Sequence, residues 1–155
     1  MTTAPDDAIR RTFTVPVAAD RAFVLFTEGL GTWWPREFTW SQGLLESIAM
    51  EPRAGGLCSE RGPHGFRVDW GRVLAWEPPE RVVFNWQISP QRVPEPDPSR
   101  ASEVEVRFAA DGAQHTRVAL EHRAFARHGE GADAYRSGME GGWDHLMARY
   151  TDAAA

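Results

Sequence analysis

Between Gly71 and Trp86 two alternating apolar runs meet across Glu77-Pro78-Pro79-Glu80, and this stretch restricts the chain more than any other. Neither proline can donate a backbone hydrogen bond, and each holds φ at about −65°, so the chain must leave one ladder there and re-enter another after Glu80. Beyond the turn, Val82, Phe84, Trp86 and Ile88 alternate with Arg81, Val83, Asn85 and Gln87. At period two, one row faces a core and the other faces out. The stretch therefore predicts a hairpin at the middle of an antiparallel sheet. Gly71, inside the strand pattern, predicts a bulge or the close approach of another backbone, and while that bulge is unplaced Trp76 has no assignable face.

Other segments supply partners for this hairpin. Residues 9–17 read as a strand with Ile9, Phe13, Val15 and Val17 in one row, which Arg11 breaks as an edge strand permits. From Ala18 the spacing becomes helical through Ala22, Phe23, Phe26 and Leu30, and Gly29 and Gly31 offer places to stop. Strands are expected over residues 44–51 and 57–61, and from Phe66 through Val68 and Trp70 into the hairpin, which continues to Ile88. Residues 89–102 contain Pro90, Pro94, Pro96 and Pro98, too many missing donors for a ladder, and are expected to form a long exposed loop. Residues 103–109 alternate again, Asp111-Gly112 signals a hairpin, and a strand over residues 114–123 puts Thr116, Val118, Leu120 and His122 on one face.

The last segment is helical. From Ala132 onward, Tyr135, Met139, Trp143, Leu146, Met147 and Tyr150 form one apolar stripe. Gly138, Gly141 and Gly142 interrupt it, each costing about 1 kcal/mol relative to alanine in a helix interior. A close helix-to-sheet approach or space left for a ligand would each offset that cost. Together the elements describe an α+β chain, a curved antiparallel sheet of about seven strands around a long C-terminal helix.

The 155 residues suit a single domain over 1–155, with an ordered core of about 8–151, and need no disulfide. Seven tryptophans and eight phenylalanines either fill a large core or line a cavity too wide for aliphatic residues. A net charge of −5 without a Lys/Arg run gives no footprint for nucleic acid or an anionic membrane surface. No stretch approaches the roughly 20 apolar residues of a membrane helix, and residues 1–7 are polar with no apolar segment behind them, so a soluble cytoplasmic protein is expected. Cys58 stands alone and reads as a small buried apolar residue.

Signatures of common chemistry are missing: no phosphate-cradling glycine loop, no Gly-x-Ser-x-Gly elbow, no His-Glu-x-x-His motif. His122 and His128 fall on a strand and in the following loop without metal-ligand spacing, so neither a metal nor a cofactor is expected. His145 lies off the helical stripe and reads as solvated, as do the charged rows Glu103, Glu105, Arg107 and Arg117, Glu121, paired across strands. No catalytic residue is assigned.

Several fragments, in this order, resemble one family. They are the Val-Pro strand end before the first helix, Trp33-Trp34-Pro35, Pro52-Arg53-Ala54-Gly55-Gly56, Gly71-Arg72-Val73-Leu74 leading into residues 77–86, and Gly142-Trp143. The chain is similar from about Ile9 to Tyr150 to the family of the activator of the heat-shock-protein-ninety ATPase, within the START-like (SRPBCC, Bet v-like) superfamily. The resemblance implies a helix-grip fold with an elongated, mostly apolar cavity between the sheet and the last helix.

The inward rows set Trp70, Trp86, Phe108, Leu120 and His122 against Tyr135, Met139 and Trp143, with Trp33, Trp34 and Phe38 near one mouth. Such rings can bind a ligand or simply pack on one another. The expected function is binding of a small hydrophobic or aromatic molecule, without catalysis. One alternative is a cyclase, aromatase or hydrolase using His122 as acid or base. Another is a cochaperone-like module with chaperone or homodimer contacts.

Overall fold

The computed structural model describes residues 7–155. Strands β4 (Arg67–Glu77) and β5 (Arg81–Trp86) form the expected hairpin, turning through Pro78 and Pro79, whose shared peptide bond is cis. Five further strands complete the sheet: β1 (Ile9–Val15), β2 (Ser47–Met50), β3 (Leu57–Arg61), β6 (Ser102–Ala110) and β7 (Thr116–Arg123). The strand order is β1-β7-β6-β5-β4-β3-β2, which places β5 at the centre, and every pairing is antiparallel.

The irregularity expected at Gly71 has two causes at one place. Pairing with β3 passes from Cys58 opposite Gly71 to Ser59 opposite Asp69, so Trp70 is the extra residue of a bulge. A Cβ on Gly71 would lie 2.5 Å from the Asn85 carbonyl oxygen, so the neighbouring strand also approaches too closely for a side chain. The Asn85 Oδ1 accepts the Arg72 amide at 2.8 Å, a side-chain bond that repairs the ladder where the bulge disrupts it. A second shift between Val73 and Ala75 turns Trp76 to the side of Val73, where it meets Phe23 edge-on at 5.0 Å. Gly71→Ala is accordingly expected to destabilise the fold by about 2 kcal/mol in urea unfolding, because the added methyl must displace backbone.

Three helices cover the concave face: α1 (Ala19–Thr27), the single turn α2 (Leu30–Trp33) and α3 (Ala132–Ala154). The stripe Tyr135, Met139, Trp143, Leu146, Met147, Tyr150 is buried along its whole length, as the periodicity predicts. Tyr150 donates to the Ala22 carbonyl at 2.7 Å and so ties α3 to α1. Arg11 occupies the inner row of the edge strand β1 yet avoids the core by reaching Asp144 on α3 at 2.7 Å.

Some boundaries differ from expectation. The first helix breaks at Gly29, where a Cβ would lie 2.7 Å from the Leu25 carbonyl oxygen, instead of running to Leu30. The segment before β2 is a one-turn helix over Gln42–Leu44 that leaves Leu44 exposed, so the strand begins only at Ser47. Residues 89–102 are less irregular than their prolines suggest: Ile88 bridges to Pro94, and Ala101 and Ser102 are fully buried where β6 begins. On the outer face Glu105 is not solvated; Arg81, Arg107 and Arg123 close over it. Burial alone would push its carboxyl up, but the hydrogen bonds from Arg81 and Arg123 outweigh that and hold it below the ordinary value.

Candidate functional site

Beside α3 lies a solvent-open cleft of about 550 Å³. One wall carries Trp34, Phe38 and Trp40; the other carries Trp86, Ile88 and Arg92. The floor is the face of α3 formed by Gly138, Met139, Gly141, Gly142 and Leu146. A Cβ on Gly141 or Gly142 would meet nothing within 4 Å, and one on Gly138 would meet only the Arg92 guanidinium, at 3.9 Å. No tight packing therefore requires these glycines. Of the two reasons that could offset their cost, the structure shows empty space.

Buried polar atoms fix the first wall. Glu60 on β3 is 1% exposed and accepts three hydrogen bonds, from the Trp40 amide at 3.1 Å, the Ser41 amide at 2.8 Å and the Ser41 hydroxyl at 2.7 Å. A carboxylate so placed is costly unless satisfied, and these donors satisfy it while anchoring the aromatic segment. The Trp40 indole then donates across the mouth to the Arg92 carbonyl at 2.9 Å, joining the two walls.

Behind the second wall runs a buried chain of hydrogen bonds. The Trp143 indole, which can only donate, meets His122 Nδ1 at 2.9 Å, so that nitrogen is unprotonated and the His122 proton sits on Nε2. Nε2–H then donates to Ser102 Oγ at 2.7 Å, and the Ser102 hydroxyl donates to His128 Nε2, also at 2.7 Å. That leaves the His128 proton on Nδ1, which has no partner among the described residues. Burial pushes His122 well below its ordinary value, with His128 adding to the effect, and burial likewise lowers His128. Both rings are neutral at pH 7. Tyr135 closes a second link, its hydroxyl accepting from the Trp86 indole at 2.8 Å and donating to the Ile88 carbonyl at 3.0 Å.

Of the residues singled out from the sequence, Trp34, Phe38, Trp86 and Met139 border the cleft. Trp33, Trp70, Phe108, Leu120, His122, Tyr135 and Trp143 lie behind it, packed between the sheet and the helices. Alternation gives the facing of a side chain, not whether space remains in front of it. Trp40, Ile88, Leu146 and Arg92 escaped that reasoning, since Trp40 and Arg92 stand in irregular segments with no period to read. The glycine face of α3 was the legible signal for the cleft. Cys58 and His145 behave as expected: burial pushes the Cys58 thiol up, and His145 is half exposed, 3.3 Å from Glu37. Among the described residues no group of three or more His, Cys, Asp or Glu is placed to hold a metal ion, and no helix is long and apolar enough to cross a membrane.

A seven-stranded antiparallel sheet curled against one long C-terminal helix, with a cleft along that helix, defines the helix-grip class of α+β proteins. Within that class the chain belongs to the family described as Activator of Hsp90 ATPase homolog 1-like protein, whose model matches residues 16–154. Among solved structures, an anthrahydroquino-Gama-pyrone synthase, Txn09, complexed with SUM is 32% identical, with a TM-score of 0.68 over 94% of this chain and 95% of that one. The self-sacrificing resistance protein CalC from Micromonospora echinospora is 28% identical, with a TM-score of 0.65 over 95% and 93% of the two chains. The Aha1 dimer from Colwellia psychrerythraea shares the fold, with a TM-score of 0.66 over 95% of each chain, at 14% identity. No curated protein sequence matches the chain.

Proposed function

We propose that the protein binds a planar, largely apolar aromatic molecule in the cleft beside α3, without itself catalysing a reaction. The observation that carries this reading is the floor: three glycines in a helix interior, at a cost of about 1 kcal/mol each, leave open a face that no other part of the fold occupies. The volume of about 550 Å³ lies within the usual range for small-molecule sites, and rings on both sides suit a flat ligand. Similarity to a synthase whose name denotes fused-ring chemistry supports the same ligand shape.

In this reading Trp34, Phe38, Trp86 and Met139 touch the ligand. Trp33, Trp70, Phe108, Leu120, His122, Tyr135 and Trp143 set the walls from behind. His122 is fully buried with both ring nitrogens engaged, so it has no free lone pair with which to act as a base, which favours binding over catalysis. Titration of the intrinsic tryptophan fluorescence with anthraquinone-2-carboxamide and anthraquinone-2-carboxylate tests the reading. Saturable quenching by either compound is expected; a linear response to both, with no shift in the thermal midpoint, defeats it.

A further inference from the structure

Two charged residues line the cleft, Glu37 and Arg92, and they stand in different situations. The Glu37 carboxylate faces the His145 imidazole at 3.3 Å. The Arg92 guanidinium makes no ion pair or hydrogen bond among the described residues; it lies over the Tyr135 ring, 5.0 Å from its centroid. Its main chain, in contrast, is held firmly. The Arg92 amide donates to the Ser89 carbonyl at 2.8 Å, its carbonyl accepts the Trp40 indole at 2.9 Å, and Ser89 pairs in turn with the Val93 carbonyl at 2.8 Å. This tight turn puts Arg92 at φ 63°, the left-handed region that residues other than glycine seldom occupy.

A guanidinium is a flat fork of donors suited to a carboxylate, and here it is stacked on a ring, aimed by a fixed turn and left without an anion. Resting on the binding function above, we infer that the cleft selects aromatic carboxylic acids. The fused rings lie along the open glycine face of α3, with Trp34 and Trp86, themselves in contact at 6.1 Å between centroids, at their edge, and Arg92 takes the carboxylate at the mouth and so determines specificity.

The matched pair anthraquinone-2-carboxylate and anthraquinone-2-carboxamide separates charge from shape. In the wild-type protein the acid is expected to bind about tenfold tighter than the amide by calorimetry, and the ratio to shrink as salt is raised. In Arg92→Gln the acid-to-amide ratio, taken within the variant so that any loss common to both compounds cancels, is expected to fall to about one; in Arg92→Lys part of it survives, since the charge remains without the planar fork. Equal binding of acid and amide to the wild type, or a preference that persists in Arg92→Gln, overturns the selectivity and leaves the binding function standing. Binding of neither compound overturns both.

Discussion

Acidification from about pH 7 to about pH 5 is expected to lower the unfolding free energy by about 2–4 kcal/mol, well before the carboxylates titrate. The cause is the chain Trp143–His122–Ser102–His128, in which each bond fixes the protonation of the next. A proton added to His122 Nδ1 would confront the Trp143 indole N–H, and one added to His128 Nε2 would confront the Ser102 hydroxyl proton. With both rings buried, the folded protein resists protonation and both histidines fall below their ordinary 6.5. Glu95 favours the charged form of His128 and Arg100 opposes it, but burial prevails.

The unfolded chain carries no such restraint and takes up protons as the pH falls through its own histidine range. The stabilisation is therefore complete above about pH 6.5 and is lost below it, at up to about 1.4 kcal/mol per pH unit for each histidine, until the folded values are reached. Glu105 and Asp69 are also held below their ordinary 4.5 and 3.8, so their contributions fade only at lower pH and leave the histidine window separate. Urea unfolding followed by tryptophan fluorescence at steps between pH 5 and 8 measures the slope. His122→Gln and His128→Gln are each expected to be less stable at neutral pH and to flatten that slope by about one proton's worth. An unchanged slope in both variants would show that the rings are already charged in the folded state.

How much of this was legible beforehand depends on whether a period was present to read. The hairpin at Pro78-Pro79 and the inward row Thr116, Val118, Leu120, His122 follow from alternation, because half-buried strands impose period two on their side chains. Trp76 could not be assigned, since its facing depends on the skipped pairing at Leu74, which changes geometry without leaving a mark in residue type. Glu105 read as a solvated row member for a related reason: three arginines brought together from β5, β6 and β7 by register bury it, and register is not local information. Arg92 is the extreme case. Its role rests on a left-handed φ, a turn and an indole from more than fifty residues away, none of which a proline-rich loop announces.

The glycines of α3 were legible, with their explanation left open, and they give the sharpest test of the cleft. Replacing Gly138, Gly141 and Gly142 together by alanine is expected to stabilise the protein by about 3 kcal/mol and to raise Tm by about 6–10 °C. The gain comes from reduced backbone freedom in the unfolded chain, and it is collected in full only where the new methyl meets no resistance. That condition holds: two of the three methyls project into empty space, and the third meets the end of the Arg92 side chain at an ordinary contact distance of 3.9 Å. The same methyls roughen the flat floor on which a ring would lie, so affinity for anthraquinone-2-carboxylate should fall at least tenfold while the fold grows stronger. Gly141→Leu extends the test, because leucine is nearly as good a helix former as alanine and fills far more of the cleft, and here binding should vanish. Destabilisation by the three alanines would mean that helix and sheet need the close approach after all. Stabilisation with undiminished binding would place the ligand away from α3, whereas opposite movement of stability and affinity would tie the glycines to the space they leave.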